Sequence, residues 1–386
     1  MNKKYVIIAS ILIYLIATYF SYDYFSGSVT AQKVTTKTAN IDIPINGAEV
    51  DQAQLTGPKT EECPINGEML TKEHKKLWEN RRPLTVMIEN HTDARPQSGL
   101  SSADVIYEAV AEGGITRFLA VFYCKDTRFI GPVRSARMYF IDLASGYGAY
   151  PLYAHVGGAN TPGKADALGT LNKLGWANFN DLNQFSIAFP TFYRDYERNP
   201  GVATEHTMYS STSKLWKYAE VNRKLTNVDD ENNAWDEDFE SWKFQDEDVV
   251  SNPVTKISYD FWSGKQSYSV VWDYSPETKS YLRSHGDGKP HIDKNTKEQL
   301  SSKNVIVAFM KESAANDGYP GGHLLYGTIG QGEALIFQNG EAIEGTWKKP
   351  DKESQIRFFD GSGEEIEMVR GQVWVSIVPT GNEVTY

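Results

Sequence analysis

Residues 131–137 read Gly-Pro-Val-Arg-Ser-Ala-Arg, and the spacing of Arg134, Ser135 and Arg137 is the strongest chemical signal in the chain. A serine ahead of an apolar run predicts a helix N-cap at Ser135, because its hydroxyl accepts from first-turn N–H groups. Such a terminus carries free donors and the positive end of the helix dipole. Two flanking guanidiniums can each fork onto a phosphate or carboxylate. The chemistry implied is anion binding. The same arginines can instead be consumed by internal acids, with Glu89, Asp104, Glu108 and Glu112 as candidates.

His155 ends an expected strand just before Gly157-Gly158, where α/β folds place ligands. A histidine there is more often an ordinary structural residue. Arg194, Arg198 and His206 add polar groups from later segments. For an enzyme, His155 or His206 would be the general base, Glu108 or Asp104 would orient it, and the arginines would stabilise developing charge. Asn90-His91 and residues 95–99 suit an ordered loop that either binds or braces. Two histidines and two aspartates between 285 and 293 lack the spacing of a known ligand motif, so no metal is assigned. The zincin, Cys-x-x-Cys, Walker, dinucleotide and nucleophile-elbow motifs are absent, and no cofactor is assigned. Cys63 and Cys124 could pair in an oxidising exterior, or remain two buried thiols.

The elements that must position these groups are short apolar runs bounded by turns. Residues 84–89, 104–110, 117–124 and 151–156 read as strands, with helices expected from Ser135, from Thr161-Pro162 to Gly175, and from near Ser211. Strands interleaved with helices predict an α/β domain over 63–228. An acidic connector over 229–253 follows, with ten acids between Asp229 and Asp248 and with Trp235, Phe239, Trp242 and Phe244 available to pack on a neighbour. Residues 254–386 predict a mostly antiparallel β domain, with a hairpin at Asn339-Gly340.

Ahead of all this, Lys3 and Lys4 precede an uncharged apolar run from 5 to 22. It predicts a transmembrane anchor over 1–25, with the bulk of the chain outside the cell membrane, and a flexible stalk over 26–62. A cleaved signal peptide is the competing reading. The net charge is −11, from 39 Lys+Arg against 50 Asp+Glu, and −13 without the two leading lysines. That balance excludes a nucleic-acid-coating protein and favours solubility.

Taken together, Arg82-Pro83, Met87-Ile-Glu-Asn-His91, Ala94-Arg-Pro-Gln-Ser-Gly-Leu100, Ala103-Asp-Val-Ile-Tyr-Glu108, Ile115-Thr-Arg-Phe118 and Gly131 to Arg137 form a recognisable pattern. The chain resembles the YerB-like bacterial lipoprotein family, a domain of unknown function (number 3048) with distinct N- and C-terminal parts. The likeness runs from Cys63 to the end. Trp242-Lys-Phe244, Gly345-Thr-Trp347 and Gly371-Gln-Val-Trp374 fit the C-terminal part. The resemblance implies a cell-envelope location and carries no assigned reaction. No lipobox cysteine is present, so the implied anchor is a helix rather than a lipid. A fainter likeness is to the LytR-CpsA-Psr cell-wall phosphotransferases, through Asp104-Val-Ile, residues 118–123 and Pro132-Val-Arg134, although their Pro-Arg-Asp core is missing. The expected function is a membrane-tethered module binding a cell-wall glycan, a lipid phosphate or an envelope protein. The alternatives are a phosphoryl- or glycan-transfer enzyme at the same cleft, and a structural or assembly factor.

Overall fold

The computed structural model describes residues 55–248 and 253–386, which fall within one compact unit. The expected anchor and most of the expected stalk lie outside the described residues. Among the described residues, no helix is long and apolar enough to cross a membrane. The last part of the expected stalk is ordered: Lys59–Glu62 is a strand paired with Met69–Thr71.

A ten-stranded mixed sheet organises the chain. Its strands are β1 (Leu84–Glu89), β2 (Val105–Glu112), β3 (Ile115–Phe122), β4 (Leu152–His155), β5 (Asp181–Asn183), β6 (Asn304–Met310), β7 (Gly330–Gln338), β8 (Glu341–Lys349), β9 (Arg357–Asp360) and β10 (Val373–Pro379). They lie in the order β9-β8-β7-β6-β10-β2-β3-β1-β4-β5. Strand β1 is buried along its whole length, as a continuous apolar run covered on both faces should be. Among the described residues, four α-helices accompany the amino-terminal half: α1 (Lys72–Trp78), α2 (Met138–Ala144), α3 (Ala167–Lys173) and α4 (Thr212–Tyr218). The carboxy-terminal half is mostly antiparallel β, and Asn339 and Gly340 both take positive φ, 53° and 80°, at the β7–β8 turn.

The two halves share the sheet. Strand β10 runs parallel to β6 and also to β2, with Val373 opposite Val105 and Ser376 opposite Glu108. A smaller five-stranded sheet, built from Lys256–Tyr259, Val270–Ser275, Ser280–His285, Ser301–Ser302 and Val384–Thr385, packs on it. Trp272 meets Trp374 edge to face at 5.2 Å, and the Tyr259 hydroxyl sits 2.7 Å from Ser376 Oγ.

Two expected helices start later than predicted. Arg137, not Ser135, is the N-cap of α2, and it makes no side-chain cap bond. The reason lies in the backbone of residues 132–136, whose donors and acceptors are spent on the sheet. Glu89 N donates to Pro132 O (2.9 Å), Arg134 N to Met87 O (2.9 Å), Val156 N to Arg134 O (3.0 Å) and Ala136 N to Gly157 O (2.9 Å). An extended strand-like segment cannot also be the first turn of a helix. Helix α3 starts at Ala167 rather than at Thr161-Pro162, because Asp166 caps it by accepting from Gly169 N at 2.8 Å. Ser211 does cap α4, accepting from Lys214 N at 3.2 Å.

Cys63 and Cys124 are bonded, joining the loop of the first hairpin to the residues just after β3. In the connector Trp235 and Trp242 are buried, the first against Tyr123 at 5.0 Å and the second against Phe358 at 6.2 Å. Its aromatics therefore close the core, and its acids face water.

Candidate functional site

Strand pairing places Glu89 at the end of β1 opposite Arg117 near the start of β3. A register shift in β2 between Val110 and Glu112 re-aims Glu112 at the same rim. The extended segment 132–136 crosses this rim and delivers Arg134, and Arg137 follows at the N-cap of α2. Arg134 Nε lies 3.1 Å from Glu89 Oε1, although not aligned as a hydrogen bond. Arg137 donates from Nε and Nη2 to Glu112, and Arg117 Nη2 lies 3.5 Å from the other oxygen of that carboxylate. Arg117 Nη1 also donates to the carbonyl of Ser135 at 2.8 Å. Three guanidiniums thus share two carboxylates.

Burial, reinforced by the neighbouring Arg137 charge, pushes the Arg117 guanidinium down to about 10. Burial also works to raise the carboxyl of Glu112, but Arg117 and Arg137 outweigh it and hold that group below its ordinary range. Arg117 and Arg137 are almost sealed, whereas the side chain of Arg134 is 26 % exposed. The buried Tyr153 hydroxyl lies within electrostatic reach of Arg137 and Arg117 and has no hydrogen-bond partner. Surface clefts of about 690, 910 and 560 Å³ open elsewhere, and none is lined by these arginines. The patch is a shallow rim.

The other expected site residues separate from it. Fully buried His155 sets Nδ1 2.6 Å from Gly157 O and Nε2 2.5 Å from Asp181 Oδ1. Both ring nitrogens are turned inward onto protein groups, so neither is presented to a substrate. His206 joins Arg134 on Glu89, with Nδ1 2.9 Å from Oε2. Arg194 is exposed and bonds the Thr204 carbonyl. Arg198 donates to Ser98 Oγ at 2.9 Å, bonds Asn295, and lies 3.9 Å over the Phe129 ring. Neither arginine reaches the rim cluster through these contacts.

Asp104 and Glu108 orient neither histidine, which corrects the expected catalytic arrangement. Asp104 accepts from Tyr123 N (2.6 Å), Cys124 N (3.0 Å) and Asn66 Nδ2 (3.1 Å) beside the disulfide. Burial raises its carboxyl to about 6. Glu108 is sealed in the core by Arg283 Nη2, which stands 3.1 and 3.0 Å from its two oxygens, with Trp374 Nε1 at 3.2 Å and Thr116 Oγ1 at 2.8 Å. Arg283 in turn faces His291 Nδ1, whose Nε2 donates to Gln97 at 2.7 Å. Burial holds that imidazole well below its usual range, so it is neutral. Asp293 accepts from Gly99 N and Ser101 N at 3.0 and 2.9 Å, so the 285–293 segment is bracing, as is the 95–99 loop it meets.

Sequence reasoning missed Arg117, Asp181, Tyr153 and Arg283. A usable signal existed for Arg117, which opens a run expected to be a strand. A charge buried there must be paired.

The chain has relatives among known proteins. Residues 68–225 match the family described as "Protein of unknown function (DUF3048) N-terminal domain", and residues 257–375 match its C-terminal domain. The chain belongs to this family. It is 32% identical over 331 residues to "Putative lipoprotein YerB" of Bacillus subtilis (strain 168), covering 85% of this chain and 86% of that one. The crystal structure of the YerB protein from Bacillus subtilis superposes with a TM-score of 0.67 at 26% identity, over 84% of this chain and all of that one. In this chain the rim arginines lie in the stretch matching the N-terminal domain, whereas Arg283 lies in the stretch matching the C-terminal one.

Proposed function

We propose that this is an envelope-associated extracytoplasmic protein that binds an anionic group, such as the phosphate of a lipid or glycan, at Arg117, Arg134 and Arg137. The observation that carries the reading is the surplus of three guanidiniums over two carboxylates at one rim. Arg134 supports it further, being partly exposed and poorly aligned with its own acid. An arriving anion would relieve the repulsion between Arg117 and Arg137 and satisfy donors that the protein leaves free. The helix terminus at Ser135 drops out of this reading, since α2 begins beyond it. Envelope association and membrane attachment are supported by the relative named as a lipoprotein and by the apolar amino terminus.

The test is titration of purified protein with inorganic pyrophosphate and with undecaprenyl phosphate in detergent micelles. Saturable binding that Arg134→Ala abolishes is expected. Binding of neither probe, or equal binding by the variant, removes the basis of the proposal. Turnover of an undecaprenyl-linked substrate by the native protein, lost in Arg134→Ala, would convert the binding module into an enzyme.

A further inference from the structure

We infer that His91, Asp93 and His206 form a binding site for one divalent transition-metal ion of the zinc class. One ligand atom from each lies within 4.8 Å of the others. Nδ1 of His91 stands 3.8 Å from Asp93 Oδ2, and the two imidazoles stack with centroids 4.8 Å apart and 12° between their planes. Zinc bonds of about 2.0–2.1 Å in a tetrahedron put ligand atoms roughly 3.3 Å apart. Rotation of the two partly exposed side chains, His91 and Asp93, closes that gap.

The surrounding hydrogen bonds set the lone pairs for this role. Glu89 Oε2 faces His206 Nδ1 at 2.9 Å, and a carboxylate only accepts, so Nδ1 carries the proton and Nε2 keeps its lone pair. A carboxylate behind a histidine is the usual support of a metal ligand, because it fixes the tautomer and the ring plane. Glu89 is itself held from the other side by Arg134. His91 Nδ1 accepts from Asp93 N at 3.2 Å, which places that nitrogen beside the aspartate, and turning the ring onto a metal releases this bond and frees its lone pair. Asn199 Nδ2 donates to both the Asp93 carbonyl (2.8 Å) and the His206 carbonyl (3.3 Å), tying the two ligand-bearing segments together.

Access fits as well. The Asp93 and His91 side chains are 56 % and 31 % exposed, while His206 forms the buried floor. Three protein ligands leave a fourth position for water or an oxygen anion, the open arrangement of a reactive rather than a closed structural site. Imidazole and carboxylate together suit zinc and its first-row neighbours better than calcium or magnesium. The other carboxylate–sulfur cluster, Cys63, Asp104 and Cys124, has both sulfurs committed to each other.

Equilibrium dialysis of tag-free protein against Zn²⁺, with the metal quantified, tests the site. One ion per chain is expected. His91→Ala and Asp93→Asn should each weaken it at least tenfold, and Glu89→Gln should weaken it by about 10- to 100-fold through loss of the histidine's support. Both ligand variants change solvent-reachable side chains, and unchanged thermal melting confirms that they fold. No stoichiometric uptake, or uptake that both variants leave intact, overturns the inference and leaves the histidines as a stacked pair. Pyrophosphate binding that fails with Arg134→Ala reports on the arginines independently of this result.

Discussion

Two polar regions built from the same residue types differ in how completely they are enclosed. At the junction of the two halves, Glu108, Arg283, His291, Gln97 and Trp374 form a sealed network, with Glu108 and His291 fully buried. At the rim, Glu89, Glu112, Arg117, Arg134, Arg137, His91, Asp93 and His206 reach solvent on one side. In the sealed network, Glu108 accepts from Arg283, Trp374 and Thr116, and His291 spends both ring nitrogens. At the rim, three guanidiniums share Glu89 and Glu112, Arg134 is misaligned, and His206 has one nitrogen engaged. Enclosure therefore separates a group that holds the fold from one free to meet a ligand.

The largest expected effect falls on the sealed side. Glu108→Gln strips Arg283 of its counter-charge in a place water cannot reach, and should cost about 3–5 kcal/mol of unfolding free energy in denaturant titration. A loss below about 1 kcal/mol would show that the network is wetter than its geometry, and the contrast would collapse. Next comes Asp104, also sealed. Its folded-state carboxyl is raised from 3.8 to about 6, so the native state holds more protons than the unfolded state between those values. Its contribution is therefore fully present below about pH 4 and is lost as pH rises through 6, by about 3 kcal/mol. Asp104→Asn should remove that slope from the stability-versus-pH profile, and an unchanged slope would assign it to other groups.

On the rim the effects should move from stability to binding. Arg134→Ala should cost less than about 1 kcal/mol, as partly exposed ion pairs do, while abolishing pyrophosphate binding. A large stability loss there would put Arg134 with the sealed network instead. Asp93→Asn should change stability by no more than about 0.5 kcal/mol and act only on Zn²⁺ affinity.

Much of the fold was legible because it is local. The apolar run at 84–89 could only be a buried strand, and Asn339-Gly340 demands the positive φ that the β7–β8 turn adopts. Ser211 caps its helix as its type and position require. Ser135 shows where local reasoning stops. Its propensity as a cap was outbid by sheet bonds from Met87 and Gly157, residues far away in sequence.

The sequence by itself determined the family, the acidic balance, the order of strands and helices, and the presence of two arginines worth following. Only the tertiary structure decided what those arginines meet. Pairing β1 with β3 sets Glu89 beside Arg117, the shift in β2 turns Glu112 toward Arg137, and a later loop folds back to set His206 on Glu89. It also decided that β10 joins β2, so that Arg283 neutralises Glu108 across the two halves. The physical reason is common to both. A charge acts through a few ångströms, and residues within that reach are chosen by strand pairing and register, not by distance along the chain.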